Sequence, residues 1–179
     1  MKKLLISLML LAILTASCSV VYGYSNITTP KICYLCSLGY SVGSNKVLNV
    51  YTSGAPAPDD LVTIYDYSGS SSQKWVIRSN DDMSGIPSDT YRITSYGNAS
   101  LALNYDSSTT KCIVDGYSVY NYTKFPILFN YETGGGYSIW LYYFSNRYLG
   151  NSGSSNGAQC YWYVIGNSGI HSEDIWLML

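Results

Sequence analysis

The chain has 179 residues, of which 47% are hydrophobic and 12% charged, and it carries 20 Tyr, 16 Gly and a single His. Ten Lys+Arg stand against eleven Asp+Glu, a net charge of −1. No basic stripe marks a nucleic-acid binder, and a chain this rich in aromatics and low in net charge is not of the disordered class. The length suits one domain with its own core.

The N-terminus has the pattern of a secretory signal peptide. Lys2 and Lys3 precede an apolar run from Leu4 to Leu14 broken only by Ser7, followed by Thr15-Ala16-Ser17. That run is shorter than the ~20 residues a membrane span needs, and no later segment could cross a bilayer as a helix. Two exits are open. Cleavage after Gly23, behind Val21-Tyr22-Gly23, leaves residues 24–179 as a secreted single domain. Cleavage before Cys18 leaves a cell-surface lipoprotein, although Thr15 stands where the lipoprotein box usually has Leu. Either route leaves Cys33, Cys36, Cys112 and Cys160, an even number for an oxidising compartment, and disulfide bonding is expected without an assigned connectivity. Cys33-x-x-Cys36 lacks the helix of a redox motif and the further ligands of a zinc site. In an extended strand its Cα atoms are about 10 Å apart, beyond disulfide reach.

Beyond the signal, Tyr-, Val- and Ile-rich runs alternate with Gly/Ser/Asn/Asp clusters, the pattern of an all-β chain. Predicted strands are Lys46–Tyr51, Leu61–Tyr65, Trp75–Ile77, Tyr91–Thr94, Leu101–Asn104, Ile127–Phe129, Tyr137–Tyr143 and Trp162–Ile165. Asn156-Gly157 reads as a two-residue hairpin turn. Three segments open alike, at Tyr34, Tyr91 and Tyr137, and each leads to a second strand ending on asparagine: Asn49, Asn104 and Asn151. A third strand sets Ile64, Cys112 and Cys160 at steps of 48 residues, and a fourth sets Trp75, Phe125 and Trp176 at steps of 50 and 51. Three units of four strands (about 34–80, 91–130 and 137–179) predict a β-trefoil, a six-stranded barrel capped by three hairpins, whose closure leaves no exposed sheet edge.

Gln73-Lys74-Trp75 resembles the Gln-x-Trp signature of the ricin B-type lectins and falls in the fourth strand of repeat one, where that family has it. Asp174-Ile175-Trp176 is a degenerate copy, and Thr123-Lys124-Phe125 keeps only an aromatic. The resemblance spans about 145 residues. It implies that Gln73, Trp75, Asp174 and Trp176 are structural. It implies also that sugar is held by a polar residue after strand two and a ring in strand three. A flat ring meets the C–H face of a pyranose while fixed polar groups meet its hydroxyls. Repeat three offers Asn151, Gln159 and Tyr161, with Asn167 from the next loop. Repeat one offers Asn49 and Tyr65, with Asp66 beside them. Repeat two has Asn104 but Ile113 in place of the ring, so its site is expected to be dead or altered. The family usually has aspartate where these asparagines stand, and an amide forgoes the stronger hydrogen bonding of a charge.

The expected function is therefore a secreted carbohydrate-binding protein, working mainly through repeat three on galactose-type glycans. It could serve as the binding subunit of a toxin-like complex or act as an oligomer. The other classes are weaker. A protease-inhibiting trefoil would present a long loop, but Tyr51–Asp60 has no Lys or Arg for a trypsin-like pocket. No enzyme is expected, and no metal or cofactor. His171-Ser172-Glu173-Asp174 are sequence neighbours that cannot converge as a triad, and Asp59-Asp60 and Asp81-Asp82 read as solvated turns. The sequons at Asn26, Asn98 and Asn121 matter only in a eukaryotic source.

Overall fold

A computed structural model describes residues 25–40, 45–166 and 169–179. The signal-peptide reading of residues 1–23, including Cys18, and the candidate Asn167 lie outside the described residues. Thirteen short strands account for most of the regular structure. An N-terminal strand, β1 (Lys31–Cys33), precedes repeat one: β2 (Leu35–Ser37), β3 (Lys46–Val50), β4 (Val62–Asp66) and β5 (Trp75–Ser79). Repeat two holds β6 (Tyr91–Ser95), β7 (Leu101–Tyr105), β8 (Cys112–Gly116) and β9 (Ile127–Tyr131). Repeat three holds β10 (Tyr137–Leu141), β11 (Arg147–Asn151), β12 (Ala158–Val164) and β13 (Trp176–Met178). Among the described residues no helix is long and apolar enough to cross a membrane.

The first and fourth strands of the repeats close a barrel. β1 pairs with β5, β5 with β6, β6 with β9, β9 with β10, β10 with β13, and β13 with β2. β1 and β2 form one bent stave, because Tyr34 between them exchanges both backbone hydrogen bonds with Leu179 at 2.8 and 3.0 Å. The sequence reading began repeat one at Tyr34 and so missed β1. The hairpins β3–β4, β7–β8 and β11–β12 cap one end, and their third strands meet in a triangle. β4 pairs with β12 at Ile64↔Ala158, while the bridges Leu61↔Ile113 and Lys111↔Tyr161 join β4 to β8 and β8 to β12. The architecture is a β-trefoil.

The core explains which parts of the repeat pattern persist. Trp75, Trp162 and Trp176 are fully buried in one cluster with Leu48, Ile64, Leu103, Val114 and Leu149. Trp75 and Trp176 each donate an indole hydrogen bond to the second strand of their own repeat, at Leu48 O (3.0 Å) and Leu149 O (3.1 Å). Phe125 has no indole N–H and packs instead in a satellite cluster with Ile86 and Ala102. Repeat two is served from outside, by Trp162 of repeat three donating to Asn104 O at 3.0 Å.

These contacts correct the register read from the sequence. Leu48, Leu103 and Leu149 oppose Ile64, Val114 and Trp162. Val62, not Ile64, is therefore the counterpart of Cys112 and Cys160, and Gly150, not Asn151, is the counterpart of Asn49 and Asn104. The sequence match slipped because Gly150-Asn151 repeats the Asn at the wrong offset. Asn156-Gly157 does not form a two-residue hairpin turn either. It ends a six-residue connection, 152–157, where Ala158 N bonds Ser155 O at 3.1 Å and Gly157 has φ 83°. All four described cysteines are buried and unpaired, in place of the expected disulfides.

Candidate functional site

Strand alternation builds one polar face in repeat one. Leu48 and Val50 on β3, with Val62 and Ile64 on β4, enter the core. The opposite face of the same hairpin then presents Asn49 and Tyr51 beside Thr63 and Tyr65. Here the structure forms a depression of about 250 Å³ lined by Asn49, Tyr51, Tyr65, Ser68, Ser70 and Ser72. Tyr65 is 40% and Tyr51 60% exposed, so both rings are available to a ligand. Asn49 is fixed from both ends. Asn49 is 9% exposed, at the base of the depression: its Oδ1 accepts from Ser72 Oγ at 3.1 Å, and its Nδ2, which carries a second N–H, donates to Thr63 Oγ1 at 3.4 Å. Ser70 and Ser72 hydroxyls share a further bond at 2.7 Å.

Gln73 sets the floor of this depression. Its Oε1 accepts from Ser68 N (2.8 Å) and Ser68 Oγ (3.1 Å), and its Nε2 donates to Asp66 O at 2.8 Å. The buried glutamine thus closes the turn that carries Ser68. Asp66 lies outside the depression. Its carboxylate accepts from Lys46 Nζ and Asn156 Nδ2, both at 2.7 Å, and these bonds hold it below the usual carboxylate range. Tyr51 and the serines were not singled out in the sequence. The available signal was the period of two, which puts Tyr51 on the same face as Asn49.

The other repeats are arranged differently. In repeat two Asn104 is almost fully buried, with Oδ1 accepting from Tyr105 N at 3.1 Å. Asp115 takes the position of Tyr65, and Ile113 that of Thr63, so no ring faces Asn104. In repeat three Gly150 stands where Asn49 does, and a Cβ there would lie 2.6 Å from Asp174 Oδ1. Asn151, one position on, is buried and committed to backbone: Nδ2 donates to Glu173 O at 2.9 Å, and Oδ1 accepts from Gly153 N at 3.3 Å. Gln159, expected as a sugar partner, faces the threefold axis. Its Nε2 donates to Val62 O (2.7 Å), Cys160 O (2.8 Å) and Cys112 O (3.1 Å), one carbonyl from each repeat. Its donor capacity therefore serves the fold. Tyr161 is half-buried beside Tyr163, ring centroids 5.8 Å apart. Tyr163, not Tyr161, is the counterpart of Tyr65.

Asp174 is the most perturbed carboxyl near these positions. Burial pushes it up to about 6, with the neighbouring Glu173 charge adding to the effect, while the Asn151 N–H (3.1 Å) and His171 pull it down. Among the described residues no group of three His, Cys, Asp or Glu is placed to hold a metal ion.

No protein-family model and no curated protein matches the chain. Solved structures do. A mosquitocidal holotoxin is 14% identical, covering 86% of this chain and 18% of that one, with a TM-score of 0.70. The Macrolepiota procera ricin B-like lectin, solved with lactose, is 12% identical over 86% of this chain and 98% of its own, with a TM-score of 0.60. This fold is the one ricin B-like lectins share. The cytolethal distending toxin of Haemophilus ducreyi gives 12% identity, 86% coverage of both chains and a TM-score of 0.63.

Proposed function

We propose that the protein is an exported lectin, a non-enzymatic carbohydrate-binding protein whose working site is in repeat one. The observation that carries this is the single depression in which Asn49, three serine hydroxyls and the exposed rings of Tyr51 and Tyr65 converge. A pyranose needs that combination: a flat apolar surface for its C–H face and oriented donors and acceptors for adjacent hydroxyls. The lactose in the Macrolepiota complex makes galactose-type sugars the first ligands to try. The charged start, apolar run and small-residue exit of residues 2–17 support export. The two toxin neighbours support a place as the cell-binding part of a toxin-like assembly.

A glycan array tests the central reading. The purified protein is expected to bind a restricted set of glycans. Tyr65→Ala and Asn49→Ala are expected to lose that binding, and Tyr161→Ala to keep it. Binding that survives both repeat-one substitutions would move the site, and a blank array would reject the lectin reading in favour of a protein partner. Intact mass of the exported protein distinguishes a chain beginning at Tyr24 from one lipidated on Cys18.

A further inference from the structure

The connection between β3 and β4 is eleven residues long, 51–61, whereas the matching connections in repeats two and three have six each, 106–111 and 152–157. The additional residues form an ordered loop. Pro56 is buried against Gly97, with Pro56 O accepting from Asn98 Nδ2 at 3.0 Å. Asp59 N bonds Val114 O at 2.8 Å, and Asp60 Oδ2 accepts from Ala57 N at 2.8 Å. This loop walls a second depression of about 420 Å³, lined by Tyr51, Thr52, Ser53 and Asp60. Tyr51 and Thr52 line both depressions, so the exposed Tyr51 ring is the ridge between them.

We propose that repeat one takes an oligosaccharide of at least two units laid across Tyr51, rather than a single terminal sugar. The proposal rests on the lectin reading and names the ligand class for that site. One pyranose seated against Asn49 and Tyr65 leaves the second depression open for the next. There Asp60 has a carboxylate oxygen beyond the one held by Ala57, and hydrogen bonds from sugar hydroxyls to a charged acceptor are the stronger kind. The loop is pinned to repeat two, so little ordering opposes binding.

The test uses glucose, galactose, mannose and N-acetylglucosamine series, each as mono-, di- and trisaccharide, followed by calorimetry on the best series. The disaccharide is expected to bind about tenfold tighter than its monosaccharide, the gain from one or two added hydrogen bonds. Asp60→Asn, which keeps an acceptor for Ala57 N, is expected to remove most of that gain, and Tyr51→Ala all of it, with monosaccharide affinity unchanged in Asp60→Asn. Equal affinity for one and two units, with Asp60→Asn without effect, would overturn this proposal while leaving the lectin intact. No binding at any length would instead reject the lectin reading.

Discussion

Replacing Gln159 separates a role in the fold from a role in sugar binding. Its amide nitrogen carries two protons and serves three carbonyls at 2.7, 2.8 and 3.1 Å, at the point where the third strands of all three repeats meet. Gln159→Leu keeps much of the volume and removes both donors. Each intramolecular hydrogen bond contributes about 0.5–1.5 kcal/mol net, and a buried acceptor left without a partner costs about 1–3 kcal/mol. Gln159 is only half-buried, so water replaces part of the loss, and about 2 kcal/mol is expected. For a domain of about 150 residues that is a fall in Tm of about 4–8 °C. Gln159→Glu should be worse at neutral pH, because an isosteric carboxylate would face three carbonyl oxygens, and it should recover on acidification as the carboxyl takes up a proton. Urea denaturation followed by tryptophan fluorescence reads both variants, since Trp75, Trp162 and Trp176 all lie in the cluster that would loosen. Glycan affinity measured below the transition should be unchanged. A Gln159→Leu protein within about 0.5 kcal/mol of the parent, the range of an ordinary surface substitution, would refute the structural role. Loss of glycan binding at full stability would restore the sugar-contact reading.

Asp174 gives a pH dependence of definite sign. Its carboxyl titrates at about 6 when folded and near 4 when unfolded, so across that window the folded state holds more protons and stability falls as pH rises. At about 1.4 kcal/mol per pKa unit the loss above pH 6 is up to about 3 kcal/mol. Asp174→Asn should therefore be more stable than the parent at pH 8 and nearly equal at pH 4. A lower melting temperature at pH 8 would show the charge to be favourable there. Gly150→Ala should cost about 1–3 kcal/mol in denaturation, because its Cβ would meet Asp174 Oδ1 at 2.6 Å and Tyr163 Cδ2 at 2.7 Å. Asn49→Asp should bind glycan several-fold more weakly, because the carboxylate lacks the amide N–H that Asn49 offers a ligand, although Ser72 and Thr63 can both still donate to it. Calorimetry showing tighter binding would mean that a charged acceptor serves the ligand there instead.

How much was legible in the sequence depends on which interactions leave a local trace. The repeat phase did, because Trp75 and Trp176 perform the same task 27 residues beyond Leu48 and Leu149, each donating an indole hydrogen bond from within the core. The four-strand units followed from that phase. The register within repeat three did not. Asn151 imitates Asn49 in the sequence but stands one residue past Gly150, and only the cross-strand partner Trp162, opposite Leu149, reveals the slip. The third strand slipped separately: the even steps matched Ile64, where Val62 is the counterpart, to Cys112 and Cys160, a two-residue offset that keeps the face and puts Tyr161 in the place of Tyr163. Gln159 was illegible for another reason: its three acceptors come from strands 97, 47 and one residue away, a contact made by symmetry closure with no sequence motif of its own.

The same closure bears on why the candidate site falls in repeat one. A binding face on a cap hairpin needs a side chain at the Asn49 position and room above it, and both other repeats have used theirs for the fold. Repeat three has given the position to Gly150 so that the buried Asp174 can reach the Asn151 N–H. Repeat two has lost its fourth-strand tryptophan and draws Trp162 onto Asn104 O, with the Asn104 side chain folded back on its own strand. Repeat one keeps the full set: Trp75 beneath Leu48, Gln73 closing the turn, and Asn49 propped by Ser72 with its second amide proton free. It is also where the chain adds residues, in the 51–61 connection. Symmetry is thus maintained where it supports the barrel and departs in the cap hairpins, and under the proposed lectin function it is repeat one, where Asn49, Tyr51 and Tyr65 line one depression, that holds the ligand.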